Sequence, residues 1–339
     1  MPHEWTAPVY GARQQFAAKD NTPALNIRDV KRVQEVLGTF LYYGRAVDCT
    51  ILADVGSIAT HQSNATQMTL RAITQLLHYA ATHPDAVVGF KASDMVLHVE
   101  SDASYLSETK ARSRVAGYHY LSTTPTTPGK APLPDAPSPP LNGPINVVSK
   151  IMREVLSSAA ETELGSLFYN GKEAVSKRIT LEELGHLQPP TPVVADNSTA
   201  SGIANDCVKQ KRSKAMDMRF YWIRDHVRQG QFIVYWKRGS SNRADYFTKH
   251  HPAKHHQQKR LEYLQQPPPV AATNYYAPLC EYPPPSSNRP SPTRGEGVLI
   301  PCPRATPALP TIPLRHARRA SLVAARRGMT RQFKPSRQM

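Results

Sequence analysis

Residues 95–121 read MVLHVESDASYLSETKARSRVAGYHYL, and this stretch decides the fold class. Its two ends, residues 95–101 and 112–121, alternate apolar and polar side chains with the two-residue period of a half-buried β-strand. Residues 145–149 form a third run of the same kind. Three successive strands predict that a sheet begins here.

Helical and extended patterns alternate after the third strand. The sequence predicts helices at residues 157–170, 197–208 and 215–229, strands at 192–195 and 231–236, and a closing helix near Asn242. Three strands followed by alternating helices and strands are typical of a mixed sheet with helices packed on its faces. We therefore expect an α/β fold built on a five-stranded mixed sheet.

A helical segment precedes the sheet. Apolar residues recur at spacings of three and four from Val33 to Leu41 and again from Met68 to Ala80, before Pro84 ends the pattern. The expected organisation has four parts: an irregular lead-in at 1–27, a small helical module at 28–90, an α/β domain at 91–264 and a tail at 265–339.

Proline and charge are distributed unevenly along the chain. Eight of the 31 prolines lie between Pro125 and Pro144 and fifteen follow from Pro267 onward, which predicts an extended insertion at 123–144 and an irregular tail. Residues 266–339 hold eleven Lys or Arg against two Glu, so more than half of the net charge of +16 belongs to the tail. We expect this basic tail to be disordered.

Cysteine and hydropathy patterns exclude several classes of protein. The four cysteines, at positions 49, 207, 280 and 302, form no Cys-x-x-Cys pair, which argues against a disulfide framework or a zinc cage. No apolar run approaches the roughly 18 to 20 residues of a membrane span, and the first residues lack the pattern of a signal peptide. We expect a soluble intracellular protein of the cytoplasm or nucleus, neither secreted nor bound to a membrane.

Four acidic residues stand where this layout would bring them together. Asp102 and Asp196 each follow a predicted strand, and Asp245 lies in the first turn of the closing helix. Glu163 projects from a largely apolar stripe of the helix at 157–170. Residues past the carboxyl ends of parallel strands line one edge of a sheet, provided that the first and fourth strands run parallel. Singly, each acid is an ordinary turn, cap or surface residue, so the prediction rests on the four together.

Carboxylates gathered around one point repel each other unless a cation lies among them. Mg²⁺ prefers oxygen ligands and bridges carboxylates to phosphates. A pair of such ions can activate water and stabilise the leaving oxygen of a phosphodiester. The four acids therefore predict metal-dependent phosphodiester hydrolysis.

Five short motifs carry a family resemblance. They are VESDAS at 99–104, SSAAETEL at 157–164, VADN at 194–197, MDMRFYWIRD at 216–225 and NRADYFTK at 242–249. In this order they resemble the ribonuclease H domain of copia-type retrotransposon polyproteins. Residues 33–48 and 75–85 resemble the connection between the polymerase palm and ribonuclease H in the same elements. The resemblance covers about residues 2–264.

The resemblance implies a ribonuclease H fold that cuts the RNA strand of RNA–DNA hybrids with two Mg²⁺ ions, for which Mn²⁺ is an alternative. The implied metal ligands and catalytic residues are Asp102, Glu163, Asp196 and Asp245. Asp102 would bridge both ions, and Asp245 would hold the ion that activates water. Glu163 and Asp196 would hold the ion nearer the leaving group, with Glu161 as the rival for the helix position. The implied partners are an RNA–DNA hybrid and the polymerase portion of the polyprotein, and the oligomeric state is left open.

Three features depart from the family pattern. The chain has no Tyr-x-Asp-Asp polymerase motif, so we interpret it as at most a C-terminal part of a reverse transcriptase. Ser240 stands where related domains often carry a histidine that helps the product leave, which affects turnover more than metal binding. The insertion at 123–144 lengthens a hairpin connection, with no effect that the sequence indicates.

Basic residues near the fourth motif suit nucleic-acid contacts. The candidate phosphate-binding residues are Lys209, Lys211, Arg212, Lys214 and Arg219. Recognition of a hybrid would rest on shape and 2′-hydroxyl groups rather than on base sequence. The histidines at 250, 251, 255 and 256 are interpreted as a polar end of the domain rather than a zinc site, because Pro252 interrupts the helix that would align them.

Two alternatives to a nuclease stay open. One is a catalytically inactive retroelement remnant that only binds nucleic acid, which Ser240 favours. The other concerns the basic tail, which is either a nucleic-acid-binding or protein-binding segment or translated sequence with no selected role.

Overall fold

A five-stranded mixed sheet lies at the centre of the fold. The computed structural model describes residues 1–7, 20–123, 131–132, 137–208 and 217–265. The strands are β1 (Val96–Glu108), β2 (Arg112–Ser122), β3 (Pro144–Ile151), β4 (Thr191–Ala195) and β5 (Phe232–Trp236). Their order is β3-β2-β1-β4-β5, in which β1, β2 and β3 pair antiparallel and β4 runs parallel to both β1 and β5. The predicted five-stranded mixed sheet and the parallel pairing of the first and fourth strands are confirmed.

Helices cover both faces of the sheet. One face packs against α4 (Ala159–Glu183), α5 (Ser198–Ala204) and α6 (Asp217–Arg228), and its core includes Leu97, Leu167 and Val234. The other face carries Tyr118 and Tyr120 of β2, and it packs against a 3₁₀ segment (Arg243–Thr248) and α7 (Ala253–Tyr263). This alternation along β2 is the period-two pattern from which the strand was predicted.

Three helices precede the sheet, where the sequence predicted helical periodicity. They are α1 (Ile27–Ala46), α2 (Leu52–Ala59) and α3 (Gln67–Thr82), and their apolar faces form a separate core around Val33 and Leu76. Asn26 caps α1 by accepting a hydrogen bond from the Asp29 amide, and Thr66 caps α3 in a capping box with Thr69. The described residues all belong to one compact unit. No helix among them is long and apolar enough to cross a bilayer.

Several elements differ in length from the sequence prediction. Strand β1 continues to Glu108, so Asp102 lies inside the strand rather than just past it. The parallel ladder between β1 and β4 nevertheless ends at Glu100 and Val194, so Asp102 still lies beyond it. Helix α4 continues to Glu183 instead of ending near 170, and α5 stops at Ala204. The closing element near Asn242 is a 3₁₀ segment, followed by α7.

The connection between β2 and β3 contains the proline-rich insertion. Near its end, Asn142 donates hydrogen bonds to the carbonyls of Lys91 and Leu121 and accepts one from the Lys91 amide. The predicted insertion lies partly outside the described residues. The basic run at 209–214 and the tail from 266 onward lie entirely outside them.

Candidate active site

Asp102 and Glu163 face each other from a strand and a helix. Asp102 lies on β1, opposite Ala116 of β2, and Glu163 lies in the second turn of α4. Both side chains are buried. Glu163 Oε1 accepts a hydrogen bond of 3.1 Å from the Ala103 amide. Glu163 Oε2 is buried without a hydrogen-bond partner among the described residues.

Asp196 joins this pair from the end of β4. Carboxylate oxygens of Asp102, Glu163 and Asp196 all lie within 4.8 Å of one another. The Trp236 indole donates to the backbone carbonyl of Asp196 at 2.7 Å, which ties the end of β4 to the end of β5. A Cβ atom on Gly239 would lie 2.9 Å from Asp196 Oδ2, so the segment that carries Ser240 passes directly beside this carboxylate.

Asp245 lies near the three acids but pairs with a lysine. It stands in the 3₁₀ segment Arg243–Thr248, and Lys249 Nζ lies 2.7 Å from its Oδ1. The negative charge of Asp245 acts on Asp102 and Asp196. Burial opposes the charge on Lys249, but its hydrogen bond to Asp245 and the nearby carboxylates raise its pKa overall. The lysine therefore supplies a fixed positive charge at the edge of the acidic group.

The three clustered carboxyl groups hold their protons more strongly than usual. Burial raises the pKa of Asp102 well above its ordinary value, and the charges of Asp196 and Asp245 raise it further. Burial and then the charge of Asp102 do the same to the pKa of Glu163. The pKa of Asp196 is raised by burial and by Asp245. These shifts arise because a buried carboxylate beside another carboxylate lacks compensating positive charge.

A buried polar network holds α4 against β1 and β2. Asn170 donates to Ser101 Oγ, Ser101 donates to Ser166 Oγ, and Ser166 donates to the backbone carbonyl of Asp102 at 2.6 Å. Ser166 and Asn170 lie on the same face of α4 as Glu163. The network therefore sets the distance between Glu163 and Asp102.

A second set of contacts holds the 3₁₀ segment in place. Asn242 donates to the Ser101 carbonyl at 2.9 Å and accepts from the Ala244 amide. The backbone amide and the guanidinium of Arg243 both donate to the buried carboxylate of Glu100. Because Ser101 and Glu100 directly precede Asp102, these contacts place Asp245 beside the acidic group.

The donor set fits a hard divalent cation. All the candidate ligand atoms are carboxylate oxygens, which Mg²⁺ and Mn²⁺ prefer. The unpartnered Glu163 oxygen leaves one buried acceptor available to a cation. Burial and then mutual repulsion raise the pKa values of Asp102 and Glu163, and a bound cation would offset both costs.

Comparison with curated proteins finds a similarity to a transposon polyprotein. It is 25% identical over 216 residues to the retrovirus-related Pol polyprotein from transposon TNT 1-94 of Nicotiana tabacum. The chain is similar to a retrotransposon Pol polyprotein. The match covers 63% of this chain and 15% of that polyprotein, and it confirms the resemblance to retrotransposon polyproteins. No protein-family model matches the chain.

Comparison with solved structures finds two similarities, both with low TM-scores. The N-terminal RNase H domain of a Mycobacterium tuberculosis protein, fused to maltose binding protein, is 11% identical with a TM-score of 0.31. The match covers 50% of this chain and 97% of that one. The protease-reverse transcriptase of prototype foamy virus is 14% identical with a TM-score of 0.30, covering 64% of this chain and 26% of that one.

The structure brings three of the four predicted acids into one group and places Asp245 beside it, paired with Lys249. Glu161, the rival for the helix position, instead accepts hydrogen bonds from the Ser157 amide and hydroxyl at the start of α4. Arg219 forms an ion pair with Glu154, and its guanidinium lies over the rings of Phe168 and Tyr169. Lys209, Lys211, Arg212 and Lys214 lie outside the described residues.

Sequence reasoning missed the residues that position the site. Ser166 and Asn170 follow Glu163 at spacings of three and seven, which is the signal that could have placed them on the same helix face. Lys249 is four residues after Asp245, the spacing of an ion pair along a helix. The role of Asn242 in holding Ser101 has no signal in the sequence.

Proposed function

We propose that this chain is a divalent-metal-dependent nuclease of the ribonuclease H type. It would hydrolyse the RNA strand of RNA–DNA hybrids as part of a copia-type retrotransposon polyprotein. The observation that carries the proposal is the buried group of Asp102, Glu163 and Asp196 with its unpartnered oxygen on Glu163. The similarity to a Pol polyprotein supports the nucleic-acid context.

Three of the acids would hold the cation, and the fourth would join them when the cation binds. Asp102, Glu163 and Asp196 would hold Mg²⁺ or Mn²⁺, which when bound would activate water and stabilise the leaving oxygen of a phosphodiester. The Ala103 amide fixes one oxygen of Glu163 and leaves the other for the cation. Asp245 would complete the site after it separates from Lys249. The network of Ser101, Ser166 and Asn170 limits the movement of Asp102 and Glu163 relative to each other.

The substrate and the partners follow from the same proposal. An RNA–DNA hybrid would be recognised by its shape and its 2′-hydroxyl groups. The candidate phosphate contacts are the basic run at 209–214 and Arg219, which would exchange Glu154 for a phosphate. The polymerase portion of the polyprotein is the proposed protein partner.

A cleavage assay tests the proposal. The full chain is incubated with Mg²⁺ and a hybrid labelled on its RNA strand, and the same assay is run with Asp196→Asn. We expect the wild type to cut the RNA strand and the variant to lose about 100-fold or more in rate, because a carboxylate ligand is lost.

Glu161→Gln is the matched control, since Glu161 lies on the same helix but outside the acidic group. It should cleave at close to the wild-type rate. Cleavage that persists unchanged in Asp196→Asn would show that the acidic group is not the active site.

A second candidate function is hybrid binding without cleavage. Two observations favour it: Lys249 already neutralises Asp245, and Ser240 occupies the exposed segment beside Asp196 where related domains often carry a histidine. The same assay separates the two functions. An inactive binder would bind the hybrid with strong salt dependence and leave it uncut at every Mg²⁺ concentration.

A further inference from the structure

A second group of metal-ligating side chains lies outside the acidic site. His3 belongs to the lead-in, Asp54 to α2, and His250 to the segment between the 3₁₀ segment and α7. Ligand atoms of these three side chains all lie within 4.8 Å of one another. His3 and Asp54 are buried and His250 is half-buried, so little solvent reaches the point where they meet.

Both histidines lie at ion-pair distance from Asp54. His3 Nδ1 lies 2.6 Å and His250 Nε2 lies 3.1 Å from the same oxygen, Asp54 Oδ1. The two imidazole rings stack with their centroids 4.2 Å apart. None of these three buried atoms makes a hydrogen bond with the described residues. Three buried atoms that could each bind a metal ion thus converge on one point, where a cation would offset the cost of burying them.

A contact on the other side of the ring constrains the tautomer of neutral His3. His3 Nε2 lies 3.1 Å from the backbone carbonyl of His251, which can only accept a hydrogen bond. In a neutral ring the proton therefore resides on Nε2, and Nδ1 presents a lone pair to Asp54. A histidine that donates one ring N–H to a backbone carbonyl and keeps the lone pair of its other nitrogen for a metal ion is the usual arrangement of a metal-ligating histidine.

We propose that His3, Asp54 and His250 bind one Zn²⁺ ion through His3 Nδ1, Asp54 Oδ1 and His250 Nε2. Two imidazole nitrogens and one carboxylate oxygen are a ligand set that zinc accepts, with ligand distances of about 2.0–2.2 Å and a fourth position open to water. The set differs from the all-oxygen acidic group, so the two sites select different cations.

The ion would join three segments that are far apart in sequence. It would attach the lead-in to α2 and to the chain that follows Lys249. Ligand binding to the folded state alone adds stability, so occupancy would raise the melting temperature in proportion to the logarithm of the zinc concentration. Because His250 follows Lys249 directly, the ion would also restrict the backbone that carries the lysine paired with Asp245.

Zinc titration of the full chain tests the proposal. The protein carries no polyhistidine tag, is stripped with a chelator, and is titrated with Zn²⁺ by calorimetry and with Co²⁺ by visible absorption. We expect one tight site per chain with the ligand-field bands of a four-coordinate ion. His3→Ala and His250→Ala should each weaken binding by at least about tenfold. His78→Ala, which removes an exposed histidine of α3, should leave it unchanged.

Asp196→Asn distinguishes this site from the acidic group, and it should retain the tight zinc site. The proposal is wrong if Asp196→Asn abolishes zinc binding while His3→Ala preserves it, because the ion would then belong to the acidic group. It is equally wrong if the wild type binds no zinc. Circular dichroism checks the fold of each variant, and His3→Ala decides the outcome if His250→Ala does not fold.

Discussion

Glu163 combines burial with an oxygen that has no partner among the described residues. Leaving a buried polar atom unsatisfied costs about 1–3 kcal/mol. The pKa of Glu163 is raised, so its carboxyl group keeps its proton to a higher pH in the folded state than in the unfolded chain. Stability from this group is therefore complete below the unfolded pKa of about 4.3 and is lost as the pH rises through the folded value. At neutral pH and without a bound metal ion, the folded protein is therefore less stable by the contribution that Glu163 has lost.

Replacing the carboxylate with an amide removes that loss. At neutral pH without divalent cations, we expect Glu163→Gln to melt several degrees above the wild type, since 1 kcal/mol corresponds to about 2–4 °C in a domain of this size. The measurement is thermal unfolding followed by circular dichroism in the presence of a chelator. Added Mg²⁺ should raise the melting temperature of the wild type and leave that of the variant unchanged. A lower melting temperature for Glu163→Gln than for Glu161→Gln would contradict this account.

Lys249 competes with a cation for Asp245. Removing its charge in Lys249→Met should lower the stability of the metal-free protein by up to about 1 kcal/mol, the usual value of a partly exposed ion pair. The same variant should bind Mg²⁺ several-fold more tightly, because the Asp245 carboxylate then has no ion-pair partner among the described residues. Melting temperature measured against Mg²⁺ concentration reports both effects. Unchanged Mg²⁺ dependence would mean that Asp245 does not take part in binding the cation.

Helix α4 approaches the sheet closely because β2 has a glycine beneath it. A Cβ on Gly117 would lie 1.8 Å from Asn170 Oδ1, so any side chain there must displace Asn170. Asn170 also accepts a hydrogen bond from the buried His119 and donates to the Ala116 carbonyl. The polar network that sets the position of Glu163 thus requires glycine at position 117, because any Cβ atom there would displace Asn170.

Gly117→Ala should therefore affect the site more than the fold. We expect a destabilisation of about 1–3 kcal/mol, the usual cost of overpacking, and a larger proportional loss of hybrid cleavage because Glu163 shifts with α4. Chemical denaturation and the cleavage assay measure the two effects. Gly38→Ala on α1 is the control, since a Cβ there meets nothing within 4 Å and alanine favours a helix. Equal behaviour of the two variants would rule out the positioning role of this network.

Buried histidines make the whole molecule sensitive to acid. Burial lowers the pKa of four of them, His98, His119, His251 and His256, to about 4. The unfolded chain protonates these residues near pH 6.5, so their contribution to stability is complete above that pH and is lost as the pH falls toward about 4. We expect the free energy of unfolding to drop steeply across this window.

His119 offers a way to measure this effect. Its Nε2 donates to Asn170 Oδ1 at 3.1 Å, a bond that the amide of His119→Gln can replace. Urea denaturation at several pH values between 7 and 4 should give a shallower pH dependence for His119→Gln than for the wild type. His78→Gln, at an exposed position, should show the wild-type slope. Parallel curves for all three proteins would contradict the assignment.

Much of the fold follows from local patterns, and the exceptions have physical causes. The first half of β1 is buried and alternates clearly, whereas its second half, from Ala103 onward, is partly exposed and loses the pattern. Helix α4 was predicted too short because small and polar residues such as Ser166, Asn170 and Gly171 line its buried face. A hydrophobic period cannot detect a helix that packs through serine, asparagine and glycine.

The candidate sites differ in how far the sequence could predict them. The sequence predicts Asp102, Glu163 and Asp196 together because each lies at a recognisable place on a strand or helix of the expected mixed-sheet fold. The group of His3, Asp54 and His250 joins three segments with no common motif, so nothing in the sequence indicates it. From the sequence, the histidines near 250 are interpreted as a polar end of the domain rather than a zinc site, and His3 and Asp54 lie far from them along the chain.

Asn142 should make the pairing of β2 and β3 tolerant of changes in the length of the connection between them. By binding Lys91 and Leu121 it fixes where β3 begins, so the pairing of the two strands does not depend on a tight turn. Doubling the length of a flexible connection costs only about 0.6 kcal/mol. Insertions and deletions between the two strands are therefore nearly neutral, and this connection is the place where related chains should vary most in length.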